Sequence, residues 1–308
     1  LHWRGKAITL GEGLGLVAQR FPRLAVLGSN DVALMWVDWY GGKPEVVLQR
    51  LGPDGRPLWK KPAHAGPHTI GSPLRISAVE GGLFVLNGNR IFYFTENGQV
   101  QTPPTGVPFL RKPPSDESIQ LLATGNAAVI VWSQNGNIGA QAITPTGSKL
   151  WGRDGVYVCT VAGEQIRPRA SLQPGGDVVI VWEDNRLGPG TTDIFAEKVS
   201  SNGKPLWRAG SGIPVCTVPG VQSRPAVIPF GEDKTLVAWQ DLSGTQTELY
   251  ADLLNVFGES EWGRDGKLLA SVDGSSESQN LHLARSSSED ILLYLTRVGG
   301  PTYSTLLV

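Results

Sequence analysis

Runs of consecutive apolar residues, each closed by tryptophan and a polar pair, recur along the chain: DVALMWVD at Trp36, AAVIVWSQ at Trp132, DVVIVWED at Trp182 and KTLVAWQD at Trp239. An unbroken apolar run of this length predicts a strand covered on both faces. The segment after it alternates instead, as in DIFAEKVS from Asp193, which predicts a strand with one wetter face. A second phrase follows, a turn closing on tryptophan: PDGRPLW at Trp59, PTGSKLW at Trp151, SNGKPLW at Trp207 and VFGESEW at Trp262. The Gly-containing turns suit positive φ, and the tryptophan after each can fold between neighbouring units.

Where neighbouring copies are intact the spacing is about 50 to 57 residues, enough for four antiparallel strands and their turns. The clearest copy reads PRASLQ from Pro168, DVVIVWED from Asp177, DIFAEKVS from Asp193 and GIPVCT from Gly212. That period predicts an all-β chain of four-stranded β-propeller blades. The long interval between Trp59 and Trp151 holds a degenerate blade, LRISAVEGG, GLFVLNGN, RIFYFTENGQ and GVPFLR, with Thr102 where tryptophan is expected. Full blades then fall at about 23–72, 73–118, 119–167, 168–224 and 225–280. Residues 281–308 supply three more strands, and residues 1–22, beginning LHWRGKAITL, supply the missing fourth, with Trp3 the counterpart of Trp59, Trp151, Trp207 and Trp262. The expectation is one six-bladed propeller over residues 1–308, closed by pairing of its termini; seven blades is the alternative.

Composition agrees with this picture. Among 308 residues there are 39 glycines, 22 prolines and 10 tryptophans, and 18% are charged, the mixture of short strands and tight turns. No stretch repeats apolar residues with helical period. A net charge of -1 without a basic run argues against nucleic acid as a partner, and no apolar run is long enough for membrane insertion. Cys159 and Cys216 sit in matching phrases, GVYVCT and GIPVCT, so they occupy equivalent places in successive units, too far apart for a disulfide. They read as small buried hydrophobes.

Candidate chemistry gathers in the loops that join second to third strands and one blade to the next. Asp38, Asp184 and Asp241 recur two residues after the strand tryptophan, with Gln134 in the third copy. They either converge on a ligand or each accept hydrogen bonds from their own loop. Repetition favours the loop role. Arg20, Arg167 and Arg224 recur before first strands in AQRFP, QIRP and QSRP; an arginine clasp on a substrate carboxylate, with Tyr294 as nucleophile, is the hydrolase version of that pattern. Unrepeated features are Trp39 and Tyr40 in DWYGG, His64 and His68 in AHAGPHTIG, Arg186 in the longest loop, EDNRLGPGTTD, and Arg297 in TRVGGPTY. Trp39, Tyr40, His68, Asp184, Arg186, Asp241 and Arg297 are the candidate contacts for a protein or glycan. No catalytic set is assigned. No motif calls for a cofactor or metal, and no ligand pattern supports calcium.

The run from Gln165 to Thr217 resembles the Trp-rich repeats of large secreted and surface proteins of Bacteroidota-like bacteria, a resemblance that implies export to the bacterial surface or beyond. More distantly, SSNGKPLW is similar to the Asp-box turn of sialidases and related propellers: Ser200, Asn202 and Trp207 keep its spacing, while Gly203 falls one place early. An Asp box implies fold and not activity. The expected function is a non-catalytic extracellular scaffold binding protein or glycan. A glycan-active hydrolase or lyase of sialidase-like architecture, and a structural subunit of a surface assembly, are the alternatives.

Overall fold

A computed structural model describes residues 18–28, 30–40, 43–111, 114, 119–188, 190–263, 265–272, 279–285, 291–297 and 304–307. Every regular element among them is a strand. The first sheet holds β1 (Ala18–Val26), β2 (Val32–Tyr40), β3 (Lys43–Leu51) and β4 (Ala63–Pro67). The second holds β5 (Leu74–Val79), β6 (Gly82–Asn87), β7 (Arg90–Thr95) and β8 (Val107–Pro108). The third is β9 (Ile119–Thr124), β10 (Ala127–Gln134), β11 (Asn137–Ile143) and β12 (Val156–Cys159). The fourth is β13 (Gln165–Leu172), β14 (Val178–Asp184), β15 (Asp193–Val199) and β16 (Ile213–Cys216). The fifth is β17 (Gln222–Phe230), β18 (Lys234–Asp241), β19 (Thr247–Leu254) and β20 (Lys267–Val272), and the sixth has three strands, β21 (Gln279–Arg285), β22 (Ile291–Arg297) and β23 (Ser304–Leu307). In each sheet the strands pair in sequence order, and every strand pairing is antiparallel wherever its register is defined.

The chain divides into two compact units, residues 1–130 with 141–155 and residues 131–140 with 156–308. In the first unit, β1, β5 and β9 lie beside one another in succession; in the second, β13, β17 and β21 do the same. Between the first two sheets Met35, Val37, Val46, Leu48, Ala65, Leu83, Val85, Phe92 and Phe94 form a buried core. In the second unit Val179, Val181, Ile194, Ala196, Val237 and Trp239 do so between sheets four and five. These residues occupy alternate positions of their strands, and the apolar runs of β6, β10 and β14 are buried throughout because packing covers both faces.

The tryptophan that follows each turn is fixed through its backbone, and Trp59 and Trp207 also through the indole. Its backbone N–H donates to a buried side chain of the third strand: Trp59 to Gln49 Oε1 at 3.2 Å, Trp151 to Gln141 Oε1 at 3.0 Å, Trp207 to Glu197 Oε1 at 2.7 Å and Trp262 to Asp252 Oδ1 at 3.3 Å. In the second sheet Thr102, buried, accepts from Tyr93 N at 3.3 Å and supplies no ring. The indole of Trp59 donates to Glu96 O at 2.7 Å, and that of Trp207 to Val256 O at 3.0 Å, each in the turn of the following sheet. Trp3 lies outside the described residues.

One irregularity bears on the loop end. The first strands β1, β13 and β17 each contain a bulge at a residue with positive φ, namely Phe21, Arg167 and Arg224. This corrects the sequence alignment of the arginines: Phe21, not Arg20, is the counterpart of Arg167 and Arg224. Proline follows in all three, at Pro22, Pro168 and Pro225, so the bulge is tied to the dipeptide rather than to arginine.

Candidate functional site

The start of each first strand, the end of the second and the start of the third meet at one end of their sheet. Register aligns the same residue types there. Gln19 pairs with Asp38, which pairs with Glu45; Gln165 pairs with Asp184, which pairs with Asp193; Gln222 pairs with Asp241, which pairs with Glu248. In the sixth sheet Gln279 pairs with Arg297. Each complete row sets two carboxylates on adjacent strands, and directly opposed residues of a sheet lie with Cβ atoms about 4.5–5.5 Å apart. The sequence reading named the first acid of each pair and missed the second, although DWYGGKPE, EDNRLGPGTTD and QDLSGTQTE all end on it.

The three rows differ in how their charge is met. In the fourth sheet Asp184, fully buried, accepts from Trp182 Nε1 at 2.8 Å, from Arg186 N at 3.0 Å and from Arg186 Nε at 2.9 Å, and forms an ion pair with Arg186 Nη2. Arg186 also donates to Ser211 O at 2.8 Å and lies over the Phe195 ring. This acid is closed off. Its neighbour Asp193 is buried with Oδ2 unpartnered; burial first, and then the charge of Asp184, push its carboxyl up to about 6. In the fifth sheet Asp241 accepts from Gln222 Nε2 at 3.1 Å and Ser243 N at 2.8 Å, and Tyr250 OH donates to Glu248 Oε2 at 3.1 Å.

In the first sheet the row is open. Asp38 is 7% exposed, and its Oδ1 has no hydrogen-bond partner; nor has the indole nitrogen of Trp36, which resembles Trp239 in this and differs from Trp182, whose indole bonds its aspartate. Glu45 and His64 form an ion pair at 3.2 Å when the imidazole is protonated, and both side chains are about half exposed, 45% and 53%. Pairing puts Trp36, Asp38 and Glu45 on one face of the sheet, opposite the face whose Val37 and Val46 enter the core.

The other sequence candidates are placed as follows. Trp39 is half-buried against the first core with the Arg20 guanidinium 5.5 Å from its ring centroid. Tyr40 ends β2 and Arg297 ends β22, and their side chains lie outside the described residues. His68 is buried, its Nδ1 2.9 Å from Asn87 Oδ1 and its ring 6.4 Å from that of Phe21. Arg167 donates to the buried Glu183 at 2.8 Å, and Glu183 also accepts from the Arg224 backbone at 2.7 Å. Both cysteines are free and buried, and burial pushes the Cys216 thiol up to about 11. Among the described residues no group of three His, Cys, Asp or Glu gathers as a metal site, and no helix is long and apolar enough to cross a membrane.

No family model matches the sequence, and no curated protein matches it. Solved structures do match. The GH93 α-L-arabinofuranosidase of Fusarium graminearum in complex with arabinobiose is similar over 93% of this chain and 92% of its own, at 10% identity and a TM-score of 0.52. The same organism's α-L-arabinofuranosidase in complex with an iminosugar inhibitor is similar over 94% and 92%, at 9% identity and 0.51. The chain shares their fold, built here from antiparallel four-stranded sheets of the β-propeller kind. That corrects the expectation of a non-catalytic scaffold: both of these similar structures are α-L-arabinofuranosidases, in keeping with the hydrolase alternative.

Proposed function

We propose that the protein is a glycan-active hydrolase whose acid pair is Asp38 and Glu45. The observation that carries this reading is the opening of one acid row: in sheet four Asp184 is closed off by Arg186, in sheet five Asp241 is bonded by Gln222 and Ser243 N, and in the first sheet Asp38 keeps an unpartnered, buried oxygen directly opposite the half-exposed Glu45. A repeat maintains a scaffold, and a departure from it at ionisable residues marks chemistry.

Retaining glycosidases act through two carboxyl groups about 5–5.5 Å apart, and cross-strand pairing sets Asp38 and Glu45 directly opposite each other on one face of the sheet. In the proposed reaction Asp38 protonates the glycosidic oxygen while Glu45, beside His64, attacks the anomeric carbon. Asp38 then takes a proton from the water that hydrolyses the glycosyl ester. The fold neighbours, one holding arabinobiose, put α-L-arabinofuranosides first among substrates. The architecture proposed with this function is a single six-bladed ring, its last blade made of β21–β23 and a fourth strand from the first ten residues, in a protein exported from the cell. Release of 4-nitrophenol from a panel of aryl glycosides, α-L-arabinofuranoside included, tests the reading. Turnover that Asp38→Asn and Glu45→Gln each abolish supports it, and turnover of none of the panel, or turnover indifferent to both variants, sinks it.

A further inference from the structure

A cavity of about 590 Å³ opens between β4 of the first sheet and β6–β8 of the second, within the first unit, and neither Asp38 nor Glu45 lines it. Its walls are of two kinds. Pro67, Pro104 and the edge of Phe92 make an apolar side. Phe92 is itself only 2% exposed, and Gly106, at φ +70°, lies close against its ring, where a Cβ would stand 2.6 Å from Cζ. Also lining it are Thr69, Ser72 and Thr105, whose hydroxyls make no side-chain hydrogen bond among the described residues, and Arg90. Arg90 Nη1 donates to Thr105 O at 2.9 Å and Gly106 O at 3.0 Å, which fixes the group and leaves Nε and Nη2 available. Asn87 is spent on the wall itself: its Nδ2 donates to Ala65 O at 2.8 Å and Pro67 O at 3.0 Å, and its Oδ1 meets His68.

We infer that this cavity binds a sugar acid, a monosaccharide-sized polyol carrying one carboxylate. The volume suits one or two sugar rings. Apolar lining together with unspent hydroxyls suits a ligand that carries both C–H surface and hydroxyl groups. Arg90 is the only charged lining residue, so the complementary ligand group is an anion, and a guanidinium fork held at one nitrogen matches a planar carboxylate. Neither acid proposed for hydrolysis lines the cavity, although Glu45 pairs across the sheet with Pro67 of its wall.

Titration calorimetry with D-galacturonate, and with D-galactose as the neutral counterpart, tests it. The expected result is galacturonate binding at least ten-fold tighter than galactose, lost by ten-fold or more in Arg90→Gln. Ser72→Leu fills the cavity without removing a partner of the Arg90 hydrogen bonds, and it should lose as much, with circular dichroism confirming the fold of both variants. Asp38→Asn, which removes turnover under the hydrolase reading, leaves galacturonate affinity unchanged. Absence of galacturonate binding, equal affinity for the two sugars, or binding that survives Ser72→Leu overturns the proposal, whatever the outcome of the glycoside panel.

Discussion

The guanidinium carbon of Arg186 lies 3.8 Å from the centroid of the Phe195 ring, directly over its face. From there Arg186 reaches Asp184 on its own sheet and, at Ser211 O, the segment leading into β16. One side chain thus neutralises a fully buried carboxylate and ties down the longest loop. Arg186→Ala leaves Asp184 buried without its cation, which costs about 3 kcal/mol or more. A drop of several degrees in melting temperature is expected. Arg186→Lys should recover less than half of it, because an ammonium can neither stack on Phe195 nor fork to Asp184. Full recovery with lysine would show that charge alone matters there.

Asp193 gives the fold a pH dependence of definite sign. Its carboxyl titrates near 6 in the folded chain against an ordinary value of 3.8, so folding favours the protonated form. The contribution is fully present below about pH 4 and is lost as pH rises through 6, on the order of 2 kcal/mol for this group. Asp193→Asn fixes the uncharged state. The variant is expected to gain stability relative to the parent between pH 5 and 8, measured by urea unfolding at each pH. A difference that stays flat over that interval would place the titration elsewhere.

Packing between successive sheets hangs on tryptophan over glycine. A Cβ at Gly258 would stand 2.8 Å from the Trp207 ring and 2.5 Å from Ile213 Cδ1, on a backbone at φ +81°. Gly258→Ala therefore meets both a strained conformation and an occupied space, at about 1–3 kcal/mol. Trp207→Ala opens a void instead, at about 3–5 kcal/mol. The double variant should cost less than the sum, since the alanine at 258 enters the space the indole leaves. Strict additivity in denaturant midpoints would mean that the two do not share that contact.

Most of the strands were legible because their apolar runs and turns repeat. The strand sequence PRASLQ, however, begins at Gln165 rather than Pro168, since an arginine at positive φ bulges the strand without ending it. That feature has no hydrophobic signature. The first acids of the rows were legible as a Trp-x-Asp phrase, but the second acids sit after loops of different length, and only strand register brings Asp38 to Glu45 or Asp184 to Asp193. Arg186 looked like a loop cation open to a ligand. Its burial depends on Phe195 and Ser211, which nothing in EDNRLGPGTTD foretells. Sequence exposes a repeated acid but not whether its charge is already met.

The same distinction yields the sharpest comparison among the acid rows. Asp241 is bonded to Gln222 and to Ser243 N, so Asp241→Asn weakens a structural contact and should cost about 1–2 kcal/mol. Asp38 has a buried oxygen with no partner, a group that destabilises the fold by being there. Asp38→Asn should therefore leave the melting temperature unchanged or raise it. Under the hydrolase reading the activities move the opposite way, with turnover lost in Asp38→Asn and kept in Asp241→Asn. Stability gained together with activity lost at one of two aligned aspartates is the signature of a group held for chemistry. Parallel losses of stability at both positions would return Asp38 to the scaffold.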